Sequence, residues 1–272
     1  MSYLEKLRAA QKKNNSWLCI GLDPQPGLLP LEAQRWDEPV LPFNRRIIEA
    51  TADLVCAYKP NLGFYMQWGA AGVIALERTI AAIPDDIPII LDAKIGDIGH
   101  TQAAWGRGVF DEWGVDAITA NPYVGADAVR PLLAWRPDKC VYLLARTSNP
   151  GAQRFQGDLT TRRGLSADVL REASRWMGDG DGHCGFVVGA TYPAELAVAR
   201  ELAPAAGFLI PGIGAQGGDL AAAVRYGPDR MAGPVINAGR SVIYASAGLD
   251  FAEAARAAAI ALRDEINALR SG

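Results

Sequence analysis

The chain has 272 residues, half of them hydrophobic, a formal net charge of −3 and a pI near 5.5. That length suits one α/β barrel, and the lack of a basic excess argues against a binder of nucleic acid or anionic membrane. The expected partner is a small molecule met by a few local cations.

Residues 1–15 read as a helix placed before the first strand, and Glu5, Lys6 and Arg8 interrupt any apolar core of a signal peptide. Eight short apolar runs follow, at 17–23, 54–60, 88–94, 115–121, 140–147, 184–191, 207–212 and 234–239. They are continuous rather than alternating, the pattern of strands buried on both faces. The segments between them are mostly helical. In 97–113, Ile98, Trp105, Val109 and Trp113 recur at helical spacing, and from Phe251 through Ala255, Ala259, Leu262, Ile266 and Leu269 the steps are three or four.

Eight alternating β and α units predict a closed (β/α)8 TIM barrel with an added N-terminal helix. A doubly wound open sheet is the alternative. No Pro/Ser-rich linker divides the chain, so 1–272 is read as one domain. No run of 18 apolar residues occurs, so no membrane span is expected. Cys19, Cys56, Cys140 and Cys184 lie far apart in or beside apolar runs, without a C-x-x-C pair. They are expected to be reduced core thiols of a cytoplasmic protein. With His100 and His183 the only histidines, a Cys/His metal site is not expected.

Barrel chemistry lies at the C-terminal ends of the strands, and there the predicted strands turn polar. The first ends in Asp23, the second in Lys59, the third in Asp92 and Lys94 with Asp97 beyond, the fourth in Asn121, and the fifth in Arg146-Thr147-Ser148-Asn149. Asp92 and Lys94 are two apart on a strand and so share the inward face. As a lone pair they read equally well as a structural ion pair, but Lys59 and Asp23 at neighbouring strand ends make a charged ring that packing does not explain. Asp97 at a helix start reads first as a cap. After the seventh and eighth strands come "PGIGAQGGD" and "NAGRSV", Gly-rich loops where such barrels bind phosphate. Arg240 adds charge-assisted hydrogen bonds there, and Gln216 is placed to help. Ser148 and Asn149 offer polar contacts to a heterocycle or sugar edge. Tyr65, Trp68, His100 and His183 are given no role.

"LDAKIGDIGHT" resembles the D-x-K-x-x-D signature of the orotidine 5′-phosphate decarboxylase family. "GLDPQP", "AYKPN", "RTSNPGA", "PGIGAQGGD" and "NAGRSVIYA" resemble its other blocks in order, as in its longer bacterial branch. Ile95 and His100 depart from the residues expected there. The resemblance implies a cofactor-free decarboxylation of orotidine 5′-monophosphate to UMP in pyrimidine biosynthesis. It implies that Lys94 protonates the pyrimidine C6, that Asp92 stands beside the departing carboxylate, and that Lys59 touches the ribose. It further implies a homodimer in which Asp97, with Thr101 beside it, enters the partner's site. Asp23 is implied as the ribose-binding carboxylate, Ser148 as the pyrimidine reader, and Gln216, Gly239 and Arg240 as the phosphate grip. No second catalytic domain, such as the preceding phosphoribosyltransferase, is expected.

Other chemistries remain for the same residues. A metal-dependent sugar-phosphate lyase would use the carboxylates for Mg²⁺. A Schiff-base aldolase would use Lys94, against flanking carboxylates that favour its charged form. A non-catalytic nucleotide binder would gain little from desolvated charges.

Overall fold

The apolar runs form eight strands: β1 Leu18–Leu22, β2 Ala57–Pro60, β3 Ile90–Ile95, β4 Ala117–Ala120, β5 Cys140–Arg146, β6 His183–Val188, β7 Gly207–Pro211 and β8 Val235–Ala238. The computed structural model describes residues 1–176, 183–214 and 217–271. All ladders are parallel, in the order β2-β1-β8-β7-β6-β5-β4-β3. Isolated parallel bridges Tyr58–Ile89 and Asn61–Asp92 bring β2 back beside β3, so the sheet nearly closes on itself. The predicted barrel is therefore present, and the open-sheet alternative is not.

Strand periodicity sorts the side chains into two layers. Cys19, Ala57, Ile90, Ala117, Tyr142 and Leu209 point into the barrel and form its inner cluster. Their neighbours Leu18, Ile20, Tyr58, Leu91, Ile118 and Phe208 point outward and join the larger cluster under the helices. Both faces are apolar, which is why the strands read as continuous runs. All four cysteines are buried and unpaired.

The predicted N-terminal helix spans Tyr3–Lys13 and starts at a Ser2/Glu5 capping box. It closes the N-terminal end of the barrel. Tyr3 and Tyr142 share a hydroxyl hydrogen bond of 2.7 Å inside the floor. Lys6 Nζ donates to Asp116 Oδ2 at 2.7 Å, and the same carboxylate oxygen accepts the Ile89 amide at 2.9 Å.

The segment after β3 is helical over Gly99–Gly106 and widens into a π-helical stretch over Arg107–Glu112. The last helix, Phe251–Ser271, buries Phe251, Ala255, Ala259 and Ile266, while Leu269 at its end is exposed. Among the described residues, no helix is long and apolar enough to cross a membrane.

Candidate active site

A cavity of about 620 Å³ opens at the C-terminal ends of the strands. It is lined by Asp23, Lys59, Asp92, Lys94, Ser148, Gly239 and Arg240, all expected from the sequence, and by Asn61, Thr119 and Asn237. These are inward positions continued upward from the apolar layer: Asp23 above Cys19, Lys59 above Ala57, Asp92 above Ile90, Thr119 above Ala117.

Asp92 is the hub. Its Oδ2 accepts from Lys59 Nζ at 2.9 Å and from Asn61 Nδ2 at 3.2 Å. Its Oδ1 accepts from Lys94 Nζ at 2.5 Å and from Thr119 Oγ1 at 2.9 Å. Burial pushes the Asp92 carboxyl up, but Lys59 and Lys94 outweigh it and hold the group well below the usual carboxylate range. Burial likewise pulls the Lys59 ammonium down, and Asp92 and Asp23 reverse this, leaving its pKa above the ordinary lysine value. The Lys59 side chain is 5% exposed and that of Lys94 is 47% exposed. One cation is thus sealed into the network and the other faces the cavity.

Asp92 and Lys94 do face the same space, but not because β3 is regular. Leu91 pairs with Ile118 and Ile95 with Ala120, so four steps on β3 match two on β4. Within this bulge Lys94 has φ +50°, a left-handed conformation uncommon outside glycine and asparagine. Its amide donates to Thr119 Oγ1 at 2.9 Å. A simple alternation rule therefore reached the right face by the wrong geometry.

Asp23 is held from behind. Tyr65 donates to the Leu22 carbonyl at 3.0 Å. The Tyr244 hydroxyl donates to the Asp23 carbonyl at 2.9 Å and accepts the Gln25 amide at 2.7 Å. Side chains at Gly21 or Gly239 would press on the Asp23 carboxylate, at 3.2 and 3.4 Å from Oδ2. Burial raises the Asp23 pKa, with Lys59 opposing. Asp23 Oδ1 and Asn237 Oδ1 are buried and accept no hydrogen bond within the described residues. Two open acceptors at the mouth suit hydroxyl donors of a ligand.

The two Gly-rich loops meet. Gly214 has φ +84°, and a Cβ there would lie 2.5 Å from Ser241 Oγ, so only glycine permits the approach. Gly212 and Gly239 line the cavity with Arg240, which is exposed. Gln216 lies outside the described residues. Ser148 and Asn149 line the same cavity.

Other expected residues are placed differently. Arg146 is 1% exposed and turns away to pair with Glu195, as an anchor for β5 rather than a cavity residue. Asn121 caps the turn after β4 by accepting the Tyr123 amide at 3.0 Å. Asp97 is not the helix cap, because Ile98 occupies that position without a side-chain bond. Asp97 Oδ1 accepts only the Ile98 amide, at 2.7 Å, and forms no ion pair among the described residues. Thr101 is exposed in a shallow apolar hollow with Trp105, Val109 and Trp113, outside the cavity. Among the described residues, no group of three or more His, Cys, Asp or Glu is arranged to hold a metal ion.

Fold and site define a (β/α)8 barrel whose mouth carries a lysine–aspartate–lysine chain beside a pair of touching Gly-rich loops. Residues 16–258 match the Orotidine 5'-phosphate decarboxylase / HUMPS family, and the chain belongs to that family. It is 49% identical over 272 residues to the orotidine 5'-phosphate decarboxylase of Thermomicrobium roseum, covering 99% of this chain and 96% of that one. Among solved structures, Leishmania donovani OMP decarboxylase superposes with a TM-score of 0.84 at 37% identity, each chain covered completely. The UMP synthase of the same organism gives 0.87 at 39% identity, covering 99% of this chain and 57% of that longer one.

Proposed function

We propose that the chain converts orotidine 5′-monophosphate to UMP and carbon dioxide, as a step of pyrimidine biosynthesis in the cytoplasm. The observation that carries this reading is the Lys59–Asp92–Lys94 chain, with its outer ammonium in the cavity. The substrate lies with its pyrimidine toward Ser148, its ribose hydroxyls on Asp23 and Lys59, and its phosphate on Gly239, Arg240 and Gln216. This places its C6 carboxylate at Asp92 and Lys94. As the bond from C6 to the carboxylate breaks, carbon dioxide leaves and the electron pair stays on C6. The Lys94 ammonium stabilises that charge and delivers a proton to C6. Solvent then reprotonates the half-exposed amine. Asp92 stays ionised under four hydrogen bonds and keeps the ammonium in place. Those same four donors fill its acceptor sites, which favours this reading over a lyase that binds Mg²⁺ through Asp92. The pyrimidine accepts the charge, so no cofactor is required.

The active form is a homodimer of one-domain barrels. Asp97 and Thr101, which stand outside this chain's own cavity, reach the site of the partner subunit. The test is ultraviolet absorbance of orotidine 5′-monophosphate incubated with the protein in excess chelator. Conversion to UMP is expected; a folded protein that leaves the substrate unchanged contradicts the proposal.

A further inference from the structure

One buried hydroxyl touches the charged chain without a part in the reaction as described so far. Thr119 is 1% exposed on β4 and points inward beside β3. Its Oγ1 accepts the Lys94 backbone N–H at 2.9 Å and stands 2.9 Å from Asp92 Oδ1. A hydroxyl carries one hydrogen, and with the amide directed at its oxygen that hydrogen goes to the carboxylate. Asp92 Oδ1 also receives Lys94 Nζ. The result is a closed ring, from the Lys94 amide through the Thr119 hydroxyl and the Asp92 carboxylate back to the Lys94 ammonium. Both ends of Lys94 are tied into this ring, the amide at Thr119 Oγ1 and the ammonium at Asp92 Oδ1.

The backbone needs such a tie. Lys94 sits at φ +50° inside the slip between β3 and β4, a conformation that persists only where its surroundings specify it. The slip withdraws this stretch from the regular ladder, and a side-chain hydroxyl takes the amide instead. A threonine in a strand needs no explanation in itself, since its β-branch fits a strand. Valine would fill that role equally well. What valine lacks is the pair of bonds, and both go to the two residues at the centre of the proposed reaction.

We infer that Thr119 is a positioning residue, whose hydroxyl holds Lys94 in the left-handed conformation that aims its ammonium at Asp92 and the cavity. The inference rests on the decarboxylase reading and extends it to a residue that does not react. Without the hydroxyl, the Lys94 amide loses its acceptor, the bulge relaxes and the ammonium leaves its place beside the reacting carbon. The ribose and phosphate contacts lie on β1, β2, β7 and β8 and stay as they are. The loss therefore falls on the chemical step and spares binding.

The experiment compares wild type, Thr119→Val and Thr119→Ser for kcat and KM with orotidine 5′-monophosphate, for inhibition by UMP and for Tm. Thr119→Val is expected to lower kcat by about tenfold or more, with KM and UMP inhibition within about threefold of wild type. Thr119→Ser, which restores the hydroxyl, is expected to keep kcat within about threefold. Thr119→Ala serves the same comparison should the valine variant not fold. A smaller loss in an active enzyme overturns the inference. So does a serine variant as impaired as the valine one, or a loss shared equally by UMP binding. A folded wild type that leaves the substrate unchanged overturns the decarboxylase reading itself, and this inference with it.

Discussion

Two carboxylates at the mouth illustrate how environment sets charge at the residue scale. Asp92 is surrounded by four donors, whereas at Asp23 burial outweighs the opposing Lys59 and Lys94, and their pKa values move in opposite directions. Removing the Asp92 carboxylate leaves Lys59, 5% exposed at its side chain, without its bonded counter-charge. Asp92→Ala should therefore destabilise the fold by ~3–5 kcal/mol, read from urea unfolding. A change under ~1 kcal/mol would mean that Lys59 finds another partner or sheds its proton. For Asp23 the sign is reversed. Its folded pKa lies above the ordinary carboxylate value, so between the two the folded state binds more protons than the unfolded state. Stability then falls as pH rises through that window. Asp23→Asn removes the titration. It should raise Tm of the ligand-free protein at neutral pH, with the gain shrinking as pH falls into the ordinary carboxylate range. A gain of equal size at both pH values would show that Asp23 does not titrate differently on folding.

At the scale of elements, the strands were readable because parallel strands buried on both faces cannot hide polar residues until they reach the mouth. That rule located Asp23, Lys59 and Asp92, all of which line one cavity. The same rule turns Thr119 inward, two residues after inward-facing Ala117, but a threonine within a strand is ordinary β-branched packing and does not stand out as Asn121 at the strand's end does. The bulge at Lys94 left no mark in the sequence, because it depends on a partner 25 positions away. The turn of Arg146 away from the mouth is hidden for a related reason: only the fold brings Glu195 to it. The Gly-rich loops, by contrast, declared themselves locally, since positive φ at Gly212 and Gly214 demands glycine. Their proposed ligand is the phosphate. Arg240→Ala should weaken nucleotide binding by roughly 1.5–3 kcal/mol, the scale of a hydrogen bond to a charged group, and leave the phosphate-free nucleoside almost unaffected. Calorimetric titration with UMP and uridine separates the two, and equal losses would show that Arg240 does not read the phosphate.

For the whole molecule, the site is expected to be complete only in a pair. Asp97 and Thr101 stand outside their own cavity. If two subunits exchange them across a two-fold axis, Lys94→Ala and Asp97→Asn are each nearly inactive alone yet complement each other. Refolded from an equal mixture, they form mixed dimers with one doubly defective site and one intact site. Recovery on the order of a quarter of wild-type activity is expected from random pairing. Mixed dimers that recover nothing would place Asp97 in its own chain's service.

In the proposed reaction Lys94, held by Asp92, replaces a departing carboxylate with a proton. Orotidine 5′-monophosphate labelled in its carboxylate, incubated in deuterium oxide with chelator, tests it in one vessel. Labelled carbon dioxide and UMP are expected in equal amounts, with one deuterium at C6 of each UMP, and neither product in appreciable quantity from Lys94→Ala. UMP formed by Lys94→Ala at a rate near that of wild type would contradict it.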